Sequence, residues 1–251
     1  MPQKTRLDDI LNILKKQGYV TVKYLMEELH YSSATINRDL NLLEKQELVT
    51  RSYGGVELTK HQGTPLVFRY HKMRVAKNRI GREAAQFIRD GDTIFIDGST
   101  TGQYIGQYIT ERKDLTVITN NMALVTFLSE YGIHCICLGG QVAEPPSMLG
   151  GEETARSAGT YLADKMFFST GGITADGRIL DGPLYYLMHL TMAGNAKEIY
   201  YLADHEKLDR RHPDNRVLFD CGKVNVVITD NEFAQDVKER YPATRFIRVK
   251  E

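Results

Sequence analysis

The stretch Ser32-Ser33-Ala34-Thr35-Ile36-Asn37-Arg38-Asp39-Leu40-Asn41-Leu42-Leu43-Glu44 decides how the first part of the chain is read. Wound as a helix, it turns Ile36, Leu40 and Leu43 inward as one apolar stripe. Ala34, Arg38, Asn41 and Lys45 then face outward, with Thr35 and Asn37 on the flank. Ser32 or Ser33 can cap its first turn. Working outward, Leu7, Ile10, Leu11 and Leu14 carry helical spacing over 6–16, and Gly18 stops that helix. Thr21 is placed to cap a second helix over 23–29, whose apolar face is Leu25, Met26 and Leu29. Beyond Gln46, residues 48–52 read as a strand, Tyr53-Gly54-Gly55 as a turn and 56–58 as a returning strand. Three helices followed directly by a hairpin make a winged helix-turn-helix.

The outward face of the third helix is small and polar at its start and cationic further on, which suits a DNA major groove. Ser32, Ser33, Thr35, Asn37 and Asn41 are the candidates for base edges, and Arg38 for a guanine or a phosphate. Lys4, Arg6, Lys23 and Arg51 are placed for phosphates, with Gly54 and Gly55 forming the wing. Residues 1–75 hold 12 Lys and Arg against 8 Asp and Glu, and the remainder 20 against 24. A basic head on an acidic body fits a polyanion-binding head, although so small a surplus is weak support alone.

From Ala76 the pattern changes. Ile80, Ala84, Ala85 and Ile88 mark a helix ended by Asp90-Gly91-Asp92. Strands are predicted over 93–97, 115–119, 134–138, 166–169, 199–203, 224–229 and 246–249. Helices are predicted between most of them, over 101–110, 121–131, 152–163, 184–196 and 232–240. Such alternation implies βα units and a mostly parallel sheet. The expected architecture is therefore a winged helix-turn-helix over 1–59, a linker over 60–75 and an α/β sensor domain over 76–251.

In that domain, Asp97-Gly98-Ser99-Thr100-Thr101-Gly102 closes a strand and opens a helix. Glycines let an anion approach the backbone, hydroxyls donate to it, and a helix start offers unsatisfied N–H groups. No Gly-Lys-Ser/Thr follows, so this is not a Walker loop. Thr119-Asn120, Gly139-Gly140 and Gly171 end the next three strands, on the edge where parallel sheets bind ligands. Lys197 and Lys207 are the candidate countercharges for a phosphate.

Composition excludes other classes. No run approaches the ~20 apolar residues of a membrane span, and Met1-Pro2-Gln3-Lys4 does not read as a signal peptide, so a cytoplasmic chain is expected. Three cysteines, Cys135, Cys137 and Cys221, cannot form a fully paired disulfide framework. A single Cys-x-Cys is a poor zinc signal. No metal, cofactor or catalytic residue is expected.

These residues resemble the DeoR family of bacterial transcription regulators. The likeness runs through Arg6, Ile10, Leu14, Gly18, Leu25, Ser32–Leu40, Leu43-Glu44 and Arg51–Gly55. It continues through Lys77, Ile80-Gly81, Asp97–Thr101, Val117–Asn120, Leu138–Gly140, Gly150, Gly171, Gly177, Asp204–Lys207 and Ile228–Asp230. The resemblance implies a DNA-reading head, a sensor domain similar to ribose-5-phosphate isomerase, and a phosphorylated sugar or similar metabolite that usually releases the protein from its operator. This chain departs from the family pattern at several points. Asn37 stands where an arginine is usual, and His189 occupies a commonly acidic position. Asp204-His205-Glu206-Lys207 replaces Asp-Ser-Ser-Lys, and Ser169-Thr170-Gly171 replaces Phe-(Ile/Leu)-Gly. The expected function is a self-associating regulator, most simply a repressor, that binds double-stranded operator DNA. The alternatives are a sugar-phosphate isomerase with a regulatory head, in which Asp97, Asp181 or Glu152 would serve as base, and a winged-helix protein-interaction module.

Overall fold

A computed structural model describes residues 3–45, 49–52, 55–58, 73–144, 147–209 and 215–250. Tertiary contacts divide the chain into two units, Met1–Lys72 and Met73–Glu251. The expected boundary at 59/60 and nearly all of the expected linker lie outside the described residues.

In the first unit, α1 (Gln3–Gln17), α2 (Val22–Leu29) and α3 (Ser33–Lys45) pack on a small antiparallel sheet. Its strands β1 (Tyr19–Thr21), β2 (Val49–Ser52) and β3 (Gly55–Leu58) lie in the order β1-β3-β2. The hydroxyl of Thr21 accepts the Tyr24 N–H and starts α2 as its position suggests. Ser32, rather than Ser33, caps α3, receiving the Thr35 N–H at 3.4 Å. Ile10, Leu14, Leu25, Ile36, Leu40, Leu43, Val49 and Val56 form the buried core. Each comes from the helical or alternating stripe of its own segment, which is why so short a unit can close around them.

The second unit is built on a seven-stranded, wholly parallel sheet, in the order β15-β14-β12-β9-β4-β5-β6. These strands are β4 (Thr93–Ile96), β5 (Thr116–Thr119), β6 (His134–Cys137), β9 (Ala163–Phe168), β12 (Ala196–Ala203), β14 (Val226–Thr229) and β15 (Arg245–Arg248). Successive side chains go to opposite faces. Ile94, Ile96, Phe167, Tyr200 and Leu202 join one core, with Ile80, Ala84, Leu124 and Leu128 from α4 (Arg74–Ala85) and α5 (Met122–Glu130). Phe95, Met166, Phe168, Ile199 and Tyr201 join the other, with Ala155, Met188, Met192 and Val237 from α6 (Glu152–Ala158), α7 (Pro183–Gly194) and α8 (Gln235–Arg240). Both faces are covered, so the strands are apolar almost throughout.

Several expectations change. The helix expected over 101–110 is a short α turn at Thr100–Gln103 followed by a 3₁₀ turn at Gly106–Tyr108. The helix expected over 152–163 stops at Ala158, because β9 already begins at Ala163. Two antiparallel pieces went unread: the pair β7 (Gln141–Glu144) and β8 (Met148–Gly150), and the sheet of β10 (Gly172–Ile173), β11 (Arg178–Asp181) and β13 (Arg216–Asp220). The sheet of β10, β11 and β13 is fixed by pairing across sequence, with Arg178 opposite Asp220 for example, and not by a pattern within any one strand.

The chain starts its large sheet at β4, moves outward to β6, then returns to β9 on the other side of β4 and moves outward to β15. The reversal between β4 and β9 is a topological switch point, the place where open parallel sheets commonly take a ligand. Gly81 brings α4 down onto that region: a Cβ there would stand 2.8 Å from the Tyr104 carbonyl carbon. Backbone cannot yield as a side-chain tip can, so Gly81→Ala is expected to lower unfolding free energy by about 1–3 kcal/mol. Chemical denaturation of the variant checks this.

Candidate functional site

In the first unit, α3 presents Ser32, Ser33, Ala34, Arg38 and Asn41 exposed, with Thr35 and Asn37 half-buried, while Ile36, Leu40 and Leu43 face the core. The Asn37 amide donates to the Ser33 carbonyl at 2.8 Å and to the Ser33 hydroxyl at 3.0 Å. From β2, Arg51 donates to Asn41 Oδ1 at 2.5 Å and also to Asn37 Oδ1. Wing strand and helix are thereby joined into one polar surface. Lys23 is well exposed and lies 3.8 Å from Glu27. Gly55 is buried, and a Cβ there would collide with the Tyr19 ring. Gly54 lies outside the described residues, as does the side chain of Lys4.

Arg6 departs from its expected role as a phosphate contact. Its guanidinium forks onto the carboxylate of Asp39, with Nη2 to Oδ1 at 3.0 Å and Nε to Oδ2 closer still. It also lies over the Tyr31 ring at 4.8 Å. Asp39 is fully buried and the Arg6 side chain only 12% exposed. The pair ties α1 to α3 from inside.

In the second unit, the carboxyl ends of β4, β9 and β12 converge. Ser99 caps the helical turn after β4, its hydroxyl accepting the Gly102 N–H at 2.9 Å. It donates in turn to Asp97 Oδ1 at 2.6 Å. Across the switch point, Asp97 Oδ2 accepts the Ser169 N–H at 3.1 Å. Two lysines close on this loop. Lys207 Nζ reaches Thr101 Oγ1 at 3.2 Å and also the hydroxyl of Ser169. Lys77 Nζ, on buried α4, reaches Thr100 Oγ1 at 2.9 Å. The turn carrying Lys207 is fixed by His205, whose backbone N–H and ring Nδ1 donate to Asp230 at 2.7 and 2.6 Å.

Beneath the loop, His189 lies wholly buried between two carboxylates. Its Nδ1 donates to Asp181 Oδ2 at 2.6 Å, and its Nε2 stands 3.3 Å from Asp97 Oδ2, off hydrogen-bond alignment. Burial, the largest single influence, lowers the ring's pKa, but Asp181 and Asp97 together outweigh it and raise the value to about 10. That shift favours the protonated ring, held between the 97–102 loop and β11.

The remaining loop residues do different work. Thr119 Oγ1 accepts the Asn121 N–H at 3.1 Å, and Asn120 donates to the Leu149 carbonyl at 2.7 Å while packing against Gly98. Gly139 and Gly140 lie two strands from β4, where Thr154 donates to the Gly139 carbonyl at 2.7 Å. Gly171 is exposed beside Asn215. Lys197 is not at this edge. It is the second residue of β12, at the strand's amino end, 79% exposed and bonded to Asp164 at 2.7 Å. Lys77 and Ser169 were missed as site residues. For Lys77 a signal existed: it falls on the Ile80–Ala84 stripe, where a lysine must be buried and partnered.

Among the described residues, no group of three or more His, Cys, Asp and Glu is arranged to hold a metal ion. No described helix is long and apolar enough to cross a membrane.

A winged helix-turn-helix followed by a parallel α/β domain, with two lysines bonded to the polar loop at its switch point, is the plan of a DNA-binding regulator with a sensor domain. Residues 6–62 match the DeoR-like helix-turn-helix domain and residues 72–231 the DeoR C terminal sensor domain; the chain belongs to the DeoR family and is a transcriptional repressor of that class. It is 29% identical over 233 residues to the glycerol-3-phosphate regulon repressor of Escherichia coli, covering 92% of each chain. To the transcriptional repressor GlcR of Bacillus subtilis it is 35% identical over 211 residues, covering 83% of this chain and 81% of that one. To the lactose phosphotransferase system repressor of Lactococcus lactis it is 28% identical over 248 residues, 96% of each. Among solved structures, ribose 5-phosphate isomerase A of Methanocaldococcus jannaschii aligns over 55% of each chain, with a TM-score of 0.40 and 17% identity.

Two outcomes follow from this geometry. Arg6→Ala removes the guanidinium from a fully buried carboxylate and is expected to cost the first unit about 3 kcal/mol of stability, read by denaturation of the variant. His189 binds its proton more tightly folded than unfolded, so its contribution is complete below the unfolded value of about 6.5 and disappears as pH rises toward about 10. The stability advantage of wild type over His189→Gln should shrink across that window, measured by denaturation at a series of pH values.

Proposed function

We propose that the protein holds operator DNA through α3 and its wing, and that a phosphorylated sugar or related metabolite binding at the switch point loosens that hold. The observation that carries the second half is the convergence of Lys207, Thr101 and Ser169, with Lys77 and Thr100 beside them, at the carboxyl ends of β4 and β9. Two cationic side chains, a run of hydroxyls and a helix start are the components that hold a phosphate monoester of roughly −1.5 to −2 charge. Relatives named for a glycerol-3-phosphate regulon and a lactose phosphotransferase system support an effector of this chemistry.

The effector seat is Asp97–Gly102 with Lys207, Lys77 and Ser169. Thr119 and Asn120 shape one wall, and Gly171 with Gly139-Gly140 forms the outer rim. Lys197 is not part of it. The DNA surface is Ser32, Ser33, Thr35, Asn37, Arg38, Asn41 and Arg51, with Lys4 and Lys23 toward phosphates and Gly54-Gly55 in the wing; Arg6 braces it from within. The protein works in the cytoplasm as a dimer or dimer-built tetramer, since paired heads read a palindromic site better than one. It needs no cofactor. Chemistry on the effector is disfavoured, because Asp97, the nearest carboxylate, already accepts from Ser99 and Ser169 and faces His189.

Operator sequence comes from selection of wild-type protein against random duplex DNA, and the effector from calorimetric titration with a panel of sugar phosphates. Arg38→Ala should then weaken specific DNA binding by about 1–3 kcal/mol and leave effector binding intact. Lys207→Ala should do the reverse, reducing effector affinity about tenfold or more while operator binding persists. A Lys207→Ala protein that binds the effector as wild type does would place the phosphate elsewhere.

A further inference from the structure

The polar surface shared by α3 and the wing has a definite hydrogen-bonding polarity. Arginine carries N–H donors and no acceptor. Because Arg51 bonds to both Asn37 and Asn41, each amide must turn its oxygen toward the guanidinium. That fixes which end of each amide is left over. In Asn37 the nitrogen points back into the helix, where the Ser33 carbonyl and hydroxyl take it at 2.8 and 3.0 Å. Both of its N–H groups are therefore engaged within the protein. In Asn41, one turn further on and exposed, the nitrogen faces away from Arg51. Where Arg51 meets Asn41, the groups left over among the described residues are thus donors: the Asn41 NH₂ and the Arg51 N–H groups not bonded to either asparagine.

An asparagine reads adenine by accepting from N6 and donating to N7 together, which needs its oxygen free. Here neither oxygen is available without breaking a bond to Arg51. Guanine offers two adjacent acceptors in the major groove, O6 and N7, and is the base edge that matches a pair of donors.

We propose that Arg51 and Asn41 together read one guanine of the operator, and that Asn37 is a positioning residue that aims Arg51 rather than a reader of its own base. This rests on α3 being the DNA-reading helix. The base preference belongs to this chain's own pattern, because it requires an asparagine at position 37 with a free oxygen for the wing arginine.

The test is selection from random duplex DNA with full-length wild type, Asn41→Ala and Asn37→Ala, followed by binding curves on the selected site and on single-base variants. Asn41 is exposed, so its truncation should leave the fold intact, and circular dichroism of each variant verifies that. Wild type should select a site containing a guanine whose replacement costs about tenfold or more in affinity. Asn41→Ala should lose most of that discrimination at the same position. Asn37→Ala should relax this one position, by releasing Arg51, and no other. Relaxation of an adenine or thymine position by Asn41→Ala overturns the proposal, as does the absence of any relaxed position. Loss of preference at a separate base pair in Asn37→Ala overturns the positioning role. Failure of wild type to select any sequence is a different result, which would remove the DNA-reading function on which the inference rests.

Discussion

The carboxylate of Asp97 is the constraint around which the second unit is organised. It lies at the end of β4, where the order of the sheet reverses, and it accepts from both sides of the reversal. Ser99 holds the loop after β4 to it, and the Ser169 N–H holds the end of β9. His189 brings in a third element, since the same ring donates to Asp181 at the end of β11. A buried carboxylate is tolerable only when its lone pairs are met and a countercharge is near. Meeting those needs fixes the relative positions of a loop, two strands and a helix.

The first unit relies on a smaller version of the same device. Asp39 sits on α3, and Arg6 reaches it from α1. One end of the pair is a planar fork that accepts a carboxylate in a single orientation. Rotation of α3 about its axis would break that geometry, so the exposed face is defined by an interaction on the opposite side. On the exposed face, Arg51 supplies a further tie from β2.

Much of this was legible before any coordinates. The helical stripe of Ile36, Leu40 and Leu43, the Thr21 cap and all seven parallel strands followed from periodicity, because each is a local pattern enforced by a buried face. The turn at 97–102 was also legible as a strand end passing into a helix start, since a capping hydroxyl such as that of Ser99 is what such a start requires. What escaped was pairing across distance. Arg6 reads as one more exposed cation until Asp39, 33 residues away, is placed opposite it. Lys197 and Lys207 look equivalent in a list of lysines, yet one lies at the start of β12 and the other follows its end, and only the second meets Thr101 and Ser169. The short antiparallel strands β10, β11 and β13 left no periodic trace, being defined by their partners rather than by their own residues.

The separation in sequence between Thr101 and Lys207, 106 residues, has a consequence for the order in which the protein comes into being. Contacts that close such long loops form late, and domains emerging during synthesis fold from the amino terminus onward. The head finds its internal partners, such as Arg6 and Asp39, within its own few dozen residues. The cluster of Thr101, Ser169 and Lys207 cannot exist until β4, β9 and the turn after β12 have all been made. A nascent or carboxyl-terminally truncated chain therefore carries a finished reader with no receiver attached, and control by metabolite is the last property this polypeptide acquires.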